Sequence, residues 1–515
     1  MRFIPPLVAT ILLVLSGCRG MSPAGGDPIG YHPAEDGVVQ VLVTYQPFDP
    51  IMPWQKRPPA MRYGYAIMVG KDTAITTASL VRNQTLVEIR KCRSGLKIPA
   101  VVDFQDPQVN LALLRILPPS SPTNAVSAAS PDPRQFLKPV RVAHQFPKKS
   151  NLEIVQFDET GQIQSGQAQF LHASMVSSSE AGFGSLVFSI LTDVNITGEG
   201  AAVLIDGDLA GVMVSYDRTS RTGSMIPYCV TEQFLDGCRQ TPYRGFAAAG
   251  FMWTSLVDPA KRTYLGLPDD TNGILVLSCL PETGAQRALQ PNDVILEWDG
   301  YSIDSQGYYT DPDFGRLSLP YLVMGRRKPG DKVSMLVVRD KLERRVEMEL
   351  GTHRDASALI PENLAGTPPE YIVEGGLVIR ELTGDYLRGF GPAWKRVLDP
   401  RIVHLYHTRQ FAPSQPGERV LILSLVLPDA INIGYQDFHN SIITSLNGKP
   451  VCNMSEVFHL LDENGAIHRI GLKSMDVELV LDDQSLPAAN ARLAASYRIP
   501  QLRFQQARAH PSPPK

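Results

Sequence analysis

The chain has 515 residues, a formal net charge of −3, 43% hydrophobic residues and 20% charged residues. That balance argues against a basic nucleic-acid binder and a long charged tail, and it leaves an ordinary globular protein with no nucleic-acid partner. The length exceeds what one core serves and sets a prior of about three domains.

The chain opens with "MRFIPPLVATILLVLSGCRG". One positive charge precedes an apolar run, Leu7 to Leu15, that is too short to cross a bilayer as a helix. The run ends in "LSGC", Leu15 to Cys18, which resembles the lipoprotein box of bacterial envelope proteins. The resemblance implies a signal peptide over 1–17, acylation of Cys18 and a membrane contact through the lipid, since several buried acyl chains hold what one does not. It places the protein in a bacterial cell envelope, on the periplasmic side of the inner or outer membrane. Residues 18–37, "MSPAGGDPIGYHPAED" among them, read as a tether.

From Val38 to about Phe234 the sequence is a series of short strand-sized runs separated by turn residues: "YGYAIMVG", "TAITTASLV", "TLVEIRKC", "IPAVVDF", "LALLRI", "AAVLIDGDLAGVMVSY". With 41 Gly and 42 Pro in the chain, this favours a mainly β fold, a barrel pair or a sandwich, over 38–235. A second unit follows over 243–351. "GILVLSCL" and "NDVILEWDG" are strands there, and "DKVSMLVVRDKLERRVEMEL" is a hairpin turning at Asp340-Lys341, with Val333, Met335 and Val337 facing Val346, Met348 and Leu350. Residues 352–370 read as a polar, Pro-containing linker. A third unit over 371–505 holds "GGLVIREL", "ERVLILSLVL", "SIITSLNGKPV", a short helix at "SEVFHLLDENG" capped by Ser455, and "DVELVLDD". Residues 506–515 read as a disordered tail.

Six cysteines are present. None sits in a C-x-x-C pair, so no zinc site is expected, nor any other metal or cofactor. Cys229 and Cys238 are either a local bridge or two isolated thiols, and Cys92 is read as a surface strand thiol. "HLYH", His404 to His407, has helical spacing but no third ligand nearby.

The chain from Val38 to Phe504 resembles the Deg/HtrA family, in which a trypsin-like protease domain is followed by PDZ domains. "LPDAINIGYQDFHNSIITSLNGKPVCNMSEV", "AASYRIPQLRF" and "YIVEGGLVIREL" are similar to the last PDZ-like domain of the plant-type Deg branch, and "GILVLSCLPETGAQRALQPNDVILEWDGYSI" follows the family's first PDZ domain. The implied architecture is a trypsin-like double β-barrel followed by two PDZ-like α+β domains.

The family's catalytic segments are eroded here. "TTASLV" matches the frame that carries the general base and puts Ser79 at the histidine position. "NLALLRI" matches the frame of the acid and puts Asn110 at the aspartate position. "TDVNITGEGAAVLI" is one residue shorter than the nucleophile segment. It puts Glu199 at the serine position, with Gly198 and Gly200 as alternatives. A serine hydroxyl needs an imidazole to take its proton, and the imidazole needs an acid to orient it. Neither is supplied, so no catalytic residue is expected. Ala201 also replaces a glycine of the oxyanion turn, where a positive φ disfavours alanine. His144 and His172 sit in strand contexts without an acid, and Ser185 in "GFGSL" is the serine on which an unrecognised triad would be centred.

The resemblance leaves peptide binding, in which a PDZ unit adds a ligand C-terminus as a β-strand and holds its carboxylate on a φ-Gly-φ loop. The expected loop of the second unit is Ala249, Gly250, Phe251 and Met252, with Arg244 nearby. Leu319, Leu322 and Val323 are expected on the opposite wall. The matching segment of the third unit is Gly375, Gly376, Leu377 and Val378, beside Val457 and Leu460, with an assembly role favoured for that unit. The expected protein is a lipid-anchored pseudoprotease that binds peptide segments or protein C-termini as adaptor, chaperone-like holder or regulator. An active serine endopeptidase with an unrecognised triad and a structural envelope assembly protein are the alternatives. A homo-oligomer, a trimer by the family's habit, is a further expectation.

Overall fold

The structure, a computed structural model, describes residues 33–91, 94–118, 132–146, 151–158, 160–177, 184–268, 271–352, 355–363, 366–473 and 477–506. The expected signal peptide, Cys18, Cys92 and residues 507–515 lie outside the described residues.

The first strands are β1 (Val38–Tyr45), β2 (Ala60–Met68) and β3 (Thr73–Thr77), followed by a single helical turn, α1 (Ala78–Val81), then β4 (Gln84–Lys91), β5 (Lys97–Asp106) and β6 (Leu111–Ile116). They close into a barrel in the order β1-β2-β3-β6-β5-β4. The period of two sets which side chains fill it. Val39, Val41 and Val43 of β1 point inward and are fully buried, and they pack with Ala66, Met68 and Leu114. Residues 33–36 form a short 3-10 turn on this barrel, and Asp36 pairs with Lys91 at 2.7 Å and Lys138 at 2.8 Å. The end of the expected tether is therefore part of the fold.

A second barrel is built from β7 (Leu152–Phe157), β8 (Ile163–Ser177), β9 (Gly184–Thr192), β10 (Ala202–Ile205), β11 (Asp208–Asp217) and β12 (Thr222–Pro227), closed in the order β10-β11-β12-β9-β8-β7. The helix α2 (Tyr228–Cys238) follows. Cys229 and Cys238 stand at its two ends, about 13 Å apart along the axis at the rise of an α-helix, which is beyond the reach of a disulfide. Both are free.

The next unit is a sheet ordered Phe251–Ser255, Ile274–Cys279, Val294–Trp298, Lys332–Arg339, Leu342–Glu349. Its last hairpin turns at Asp340 (φ 50°) and Lys341 (φ 66°), with Val333 opposite Met348 and Met335 opposite Val346, as the alternation predicts. Its core continues into the second barrel through Phe188 and Phe314, whose rings lie 5.1 Å apart.

The third unit orders its strands as Val477–Val480, Arg469–Leu472, Ser441–Leu446, Leu421–Val426, Leu377–Glu381, Tyr371–Glu374 and Arg503–Phe504. Three helices between the second and third of these in chain order, Gly384–Arg388, Trp394–Val397 and Pro400–Arg409, were not foreseen from the sequence beyond the spacing of His404 and His407. The helix Met454–Asn464 is capped by Asn453, whose side chain accepts from Glu456 N at 3.0 Å, and not by Ser455. The expected linker is in part core. Leu359, Ile360 and Glu362 are buried, and Glu362 takes hydrogen bonds from Tyr406 and Gln410 and pairs with Arg388.

The third unit rests on the first barrel. Trp54, from the loop between β1 and β2, packs on Tyr371 with ring centres 5.8 Å apart. Buried Arg380 donates to the Pro50 carbonyl at 3.0 Å, and Arg82 pairs with Asp385 at 2.9 Å.

Candidate functional site

The three positions read as a displaced triad meet where the two barrels face each other. Strand β3 ends at Thr77, and the turn α1 presents Ser79. Asn110 lies between β5 and β6 at φ 55°, a left-handed conformation that asparagine tolerates. Its side-chain oxygen accepts the Ser79 N–H at 2.8 Å, and its carbonyl accepts the Ala78 N–H at 3.1 Å. Asn110 thus braces the turn from below. Being neutral, it does not itself supply the negative charge that an aspartate at this position would give to an imidazolium.

Glu199 reaches the same corner from the second barrel. Its carbonyl accepts the Tyr65 N–H at 2.8 Å, a bridge that ties it to β2. One carboxylate oxygen, Oε2, accepts the Thr77 hydroxyl at 2.7 Å and the Ser79 hydroxyl as well. Thr77, the residue before α1, therefore makes no capping bond to the helix with its side chain. The Ser79 hydroxyl donates to a carboxylate here, where a triad has an imidazole to take the serine proton.

Gly200 carries the turn, at φ 85°, and a Cβ there would collide with the Tyr65 carbonyl oxygen. Ala201 is fully buried and is not among the positive-φ residues. The strain expected at Ala201 is absent because Gly200 takes the left-handed conformation instead.

An oxyanion hole of this kind uses the amide of the nucleophile and that of the residue two before it. With Glu199 at the nucleophile position, that second donor is the Thr197 N–H, and it is engaged by Gln156 Oε1 at 3.1 Å. Gln156 is fully buried on β7 and donates to the Asn195 carbonyl at 2.8 Å. The Thr197 hydroxyl lies 2.8 Å from the Tyr65 hydroxyl, which donates to the Phe157 carbonyl at 2.9 Å. The Thr197 amide is thus held by a glutamine of the chain itself. The sequence reading missed Thr77, Gln156 and Thr197. Only Gln156 left a signal, a polar residue inside the apolar run "LEIVQF".

Among the described residues no histidine hydrogen-bonds Ser79, Asn110 or Glu199. The His144 side chain is 81% exposed and stands 3.4 Å from Glu232, and His172 is exposed on β8. Among the described residues no histidine hydrogen-bonds a serine. Ser185 lies at the start of β9 with its hydroxyl buried and without a partner.

In the second unit the strand Phe251–Ser255 is the outer strand of its sheet. Gly250 before it sits at φ 76°, Phe251 is buried and Met252 is 44% exposed. Next to this edge the Ser305 carbonyl takes the Leu256 N–H at 2.8 Å, and Trp253 lies against Gly307. Leu319, Leu322 and Val323 are all buried in the core shared with the second barrel, instead of lining an open groove.

The matching segment of the third unit is built differently. Gly375 and Gly376 are the two-residue turn of a tight hairpin in which Glu374 faces Leu377. Asn490 accepts the Gly375 N–H at 2.8 Å, and Asn432 donates to the Gly375 carbonyl at 2.7 Å. Leu377 and Val378 belong to a strand paired on both sides. The expected peptide site at Gly375–Val378 is corrected accordingly, because a strand without a free edge admits no added strand. Val457 and Leu460 are core residues.

Two closed barrels meeting at this corner, followed by sheet-and-helix units, define a trypsin-like protease scaffold with PDZ-type domains. Residues 360–505 match the PDZ domain family. The chain is 26% identical to "Protease Do-like 2, chloroplastic" of Arabidopsis thaliana over 93% of its own length and 76% of that protein's. It is 24% identical to "Putative protease Do-like 3, mitochondrial" of the same plant, over 91% and 79%. Among solved structures it is similar to "HtrA-type protease AlgW with decapeptide", at 16% identity and a TM-score of 0.46, over 62% of this chain and 97% of that one. The chain is homologous to plant Do-like proteases along more than nine-tenths of its length.

Proposed function

We propose that this Deg/HtrA homologue is a pseudoprotease that binds peptide segments or protein C-termini and does not hydrolyse them. The observation that carries the reading is the corner itself: Ser79, Asn110 and Glu199 stand in place of a base, an acid and a nucleophile. No described imidazole is there to carry a proton, and the Thr197 amide is already engaged. Peptide binding is assigned to the outer strand Phe251–Ser255 of the second unit, and the role that follows is that of an adaptor, holder or regulator. Acylation at Cys18 and attachment to a bacterial envelope membrane are part of the same proposal, resting on "LSGC".

Incubation of the full chain with unfolded casein tests the first half, with no turnover above buffer expected. Turnover that survives Ser79→Ala and Glu199→Ala yet depends on another single residue would overturn it. Anisotropy titration with fluorescent peptides ending in a free carboxylate tests the second half. Binding that weakens when the terminus is amidated is expected, and no binding across a varied peptide set contradicts it. Incorporation of labelled palmitate that disappears in Cys18→Ser tests the anchor.

A further inference from the structure

Glu199 is more than a lost nucleophile. Its Oε2 is held by two hydroxyls, Thr77 at 2.7 Å and Ser79, and its backbone is pinned by the Tyr65 N–H at 2.8 Å. The side chain is therefore immobilised. The other oxygen, Oε1, takes no hydrogen bond among the described residues, and it is not among the buried unpaired atoms, so it opens to solvent between the barrels. No described cation pairs with this carboxylate. The nearby Arg62 donates to the carbonyls of Ser79 and Arg82, at 2.5 Å each, and stacks on Tyr45 with its guanidinium 3.8 Å from the ring centre.

We infer that the remodelled corner is a receptor for a cationic side chain, the ammonium of a lysine or the guanidinium of an arginine, carried by an extended polypeptide lying between the barrels. Three physical points support this. A carboxylate fixed by two donors loses little freedom when a cation binds, so the interaction keeps most of its strength. A half-buried position is screened less than an open surface. Asn110 Oδ1 already accepts the Ser79 N–H, while Glu199 Oε1 is a charged acceptor that no described group uses. The inference rests on the pseudoprotease reading, because it gives the cleft a binding role in place of a hydrolytic one.

The test uses the full chain and a fluorescent extended decapeptide, amidated at its C-terminus so that carboxylate capture by a PDZ unit does not contribute. The peptide is made with one central lysine and again with norleucine at that place. Anisotropy should show the lysine peptide binding roughly tenfold or more tightly, the scale of one charge-assisted hydrogen bond, with the preference shrinking at high salt. Glu199→Gln, which can still accept from Thr77 and Ser79, should erase the preference. A free-carboxylate peptide without lysine should bind wild type and Glu199→Gln equally, which reports the PDZ units separately. Equal binding of the lysine and norleucine peptides, or a lysine preference that persists in Glu199→Gln, overturns the inference. Cleavage of either peptide would overturn the pseudoprotease reading instead.

Discussion

Gln156 Oε1 accepts the Thr197 N–H at 3.1 Å, so a side chain from one strand of the second barrel occupies the amide that a working oxyanion hole leaves open. The departure from a working oxyanion hole therefore extends beyond the residues facing the cleft. Substituting Gln156→Ala frees that amide, but Ser79 and Asn110 still supply no proton acceptor. The expected result is a loss of about 1–3 kcal/mol in stability, from the buried polar groups left unpaired, with casein turnover unchanged. Denaturant melts and a casein assay check the two halves.

Gly200 holds the corner together. Its φ of 85° and the Tyr65 carbonyl against it leave no room for a methyl group. Gly200→Ala should destabilise by about 3 kcal/mol or more, from left-handed strain added to a steric clash. Ala201→Gly next to it has no such constraint to relieve and should cost about 1–2 kcal/mol, through backbone entropy and the loss of one buried methyl group. Thermal melts of the two variants side by side test this.

Two buried charges in the third unit should behave in opposite ways. Arg380 is 4% exposed, its only hydrogen-bond acceptor among the described residues is the Pro50 carbonyl, and its Nε is buried without a partner. Burial holds its guanidinium below the usual arginine range. Arg380→Met, which keeps the volume and removes the charge, should be within about 1 kcal/mol of wild type or more stable. Glu362 by contrast serves Arg388, Tyr406 and Gln410 together. Glu362→Ala should cost about 3–5 kcal/mol, by removing the buried carboxylate that Arg388, Tyr406 and Gln410 share. Urea denaturation of both variants gives the comparison.

Acid should weaken the second unit through Asp311. Burial would raise the pKa of this carboxyl, but the hydrogen bonds from Tyr309 at 2.7 Å, from Arg326 at 2.7 Å and from the Asp313 and Phe314 amides outweigh it and hold it below the ordinary 3.8. A depressed folded-state pKa means that the native state binds the proton less readily than the unfolded chain does. The stabilisation is thus fully present above the unfolded value and is lost as pH falls through 3.8 toward the lower folded value. Wild type should lose stability over that window, and Asp311→Asn should show a shallower loss there from a lower starting point. Denaturant midpoints measured at pH 6, 5, 4 and 3 (roughly spanning the carboxylate range) check the slope.

Much of the architecture was legible because alternation is a local signal. The hairpin at Asp340-Lys341 and the inward valines of β1 follow from a period of two. The positions Ser79, Asn110 and Glu199 were legible only through the frames around them, and the structure brings them to one corner. Relations across the fold left little trace. Nothing near Thr197 in sequence points to Gln156, forty-one residues away. The Gly375-Gly376 pair has the look of an anion-binding loop, yet Asn432 and Asn490, distant in the chain, fill its hydrogen bonds and make it a closed turn. Ile360 and Glu362 read as linker because the helices that bury them come from a segment, 384–409, whose own pattern was weak.

The most direct measurement is intact-mass analysis of the full chain after exposure to a fluorophosphonate, which adds covalently only to a serine whose proton has somewhere to go. The account predicts no adduct on the wild-type protein under conditions that label an active serine protease completely. A stoichiometric adduct on Ser79, Ser185 or any other serine, abolished by substituting that residue, would contradict it.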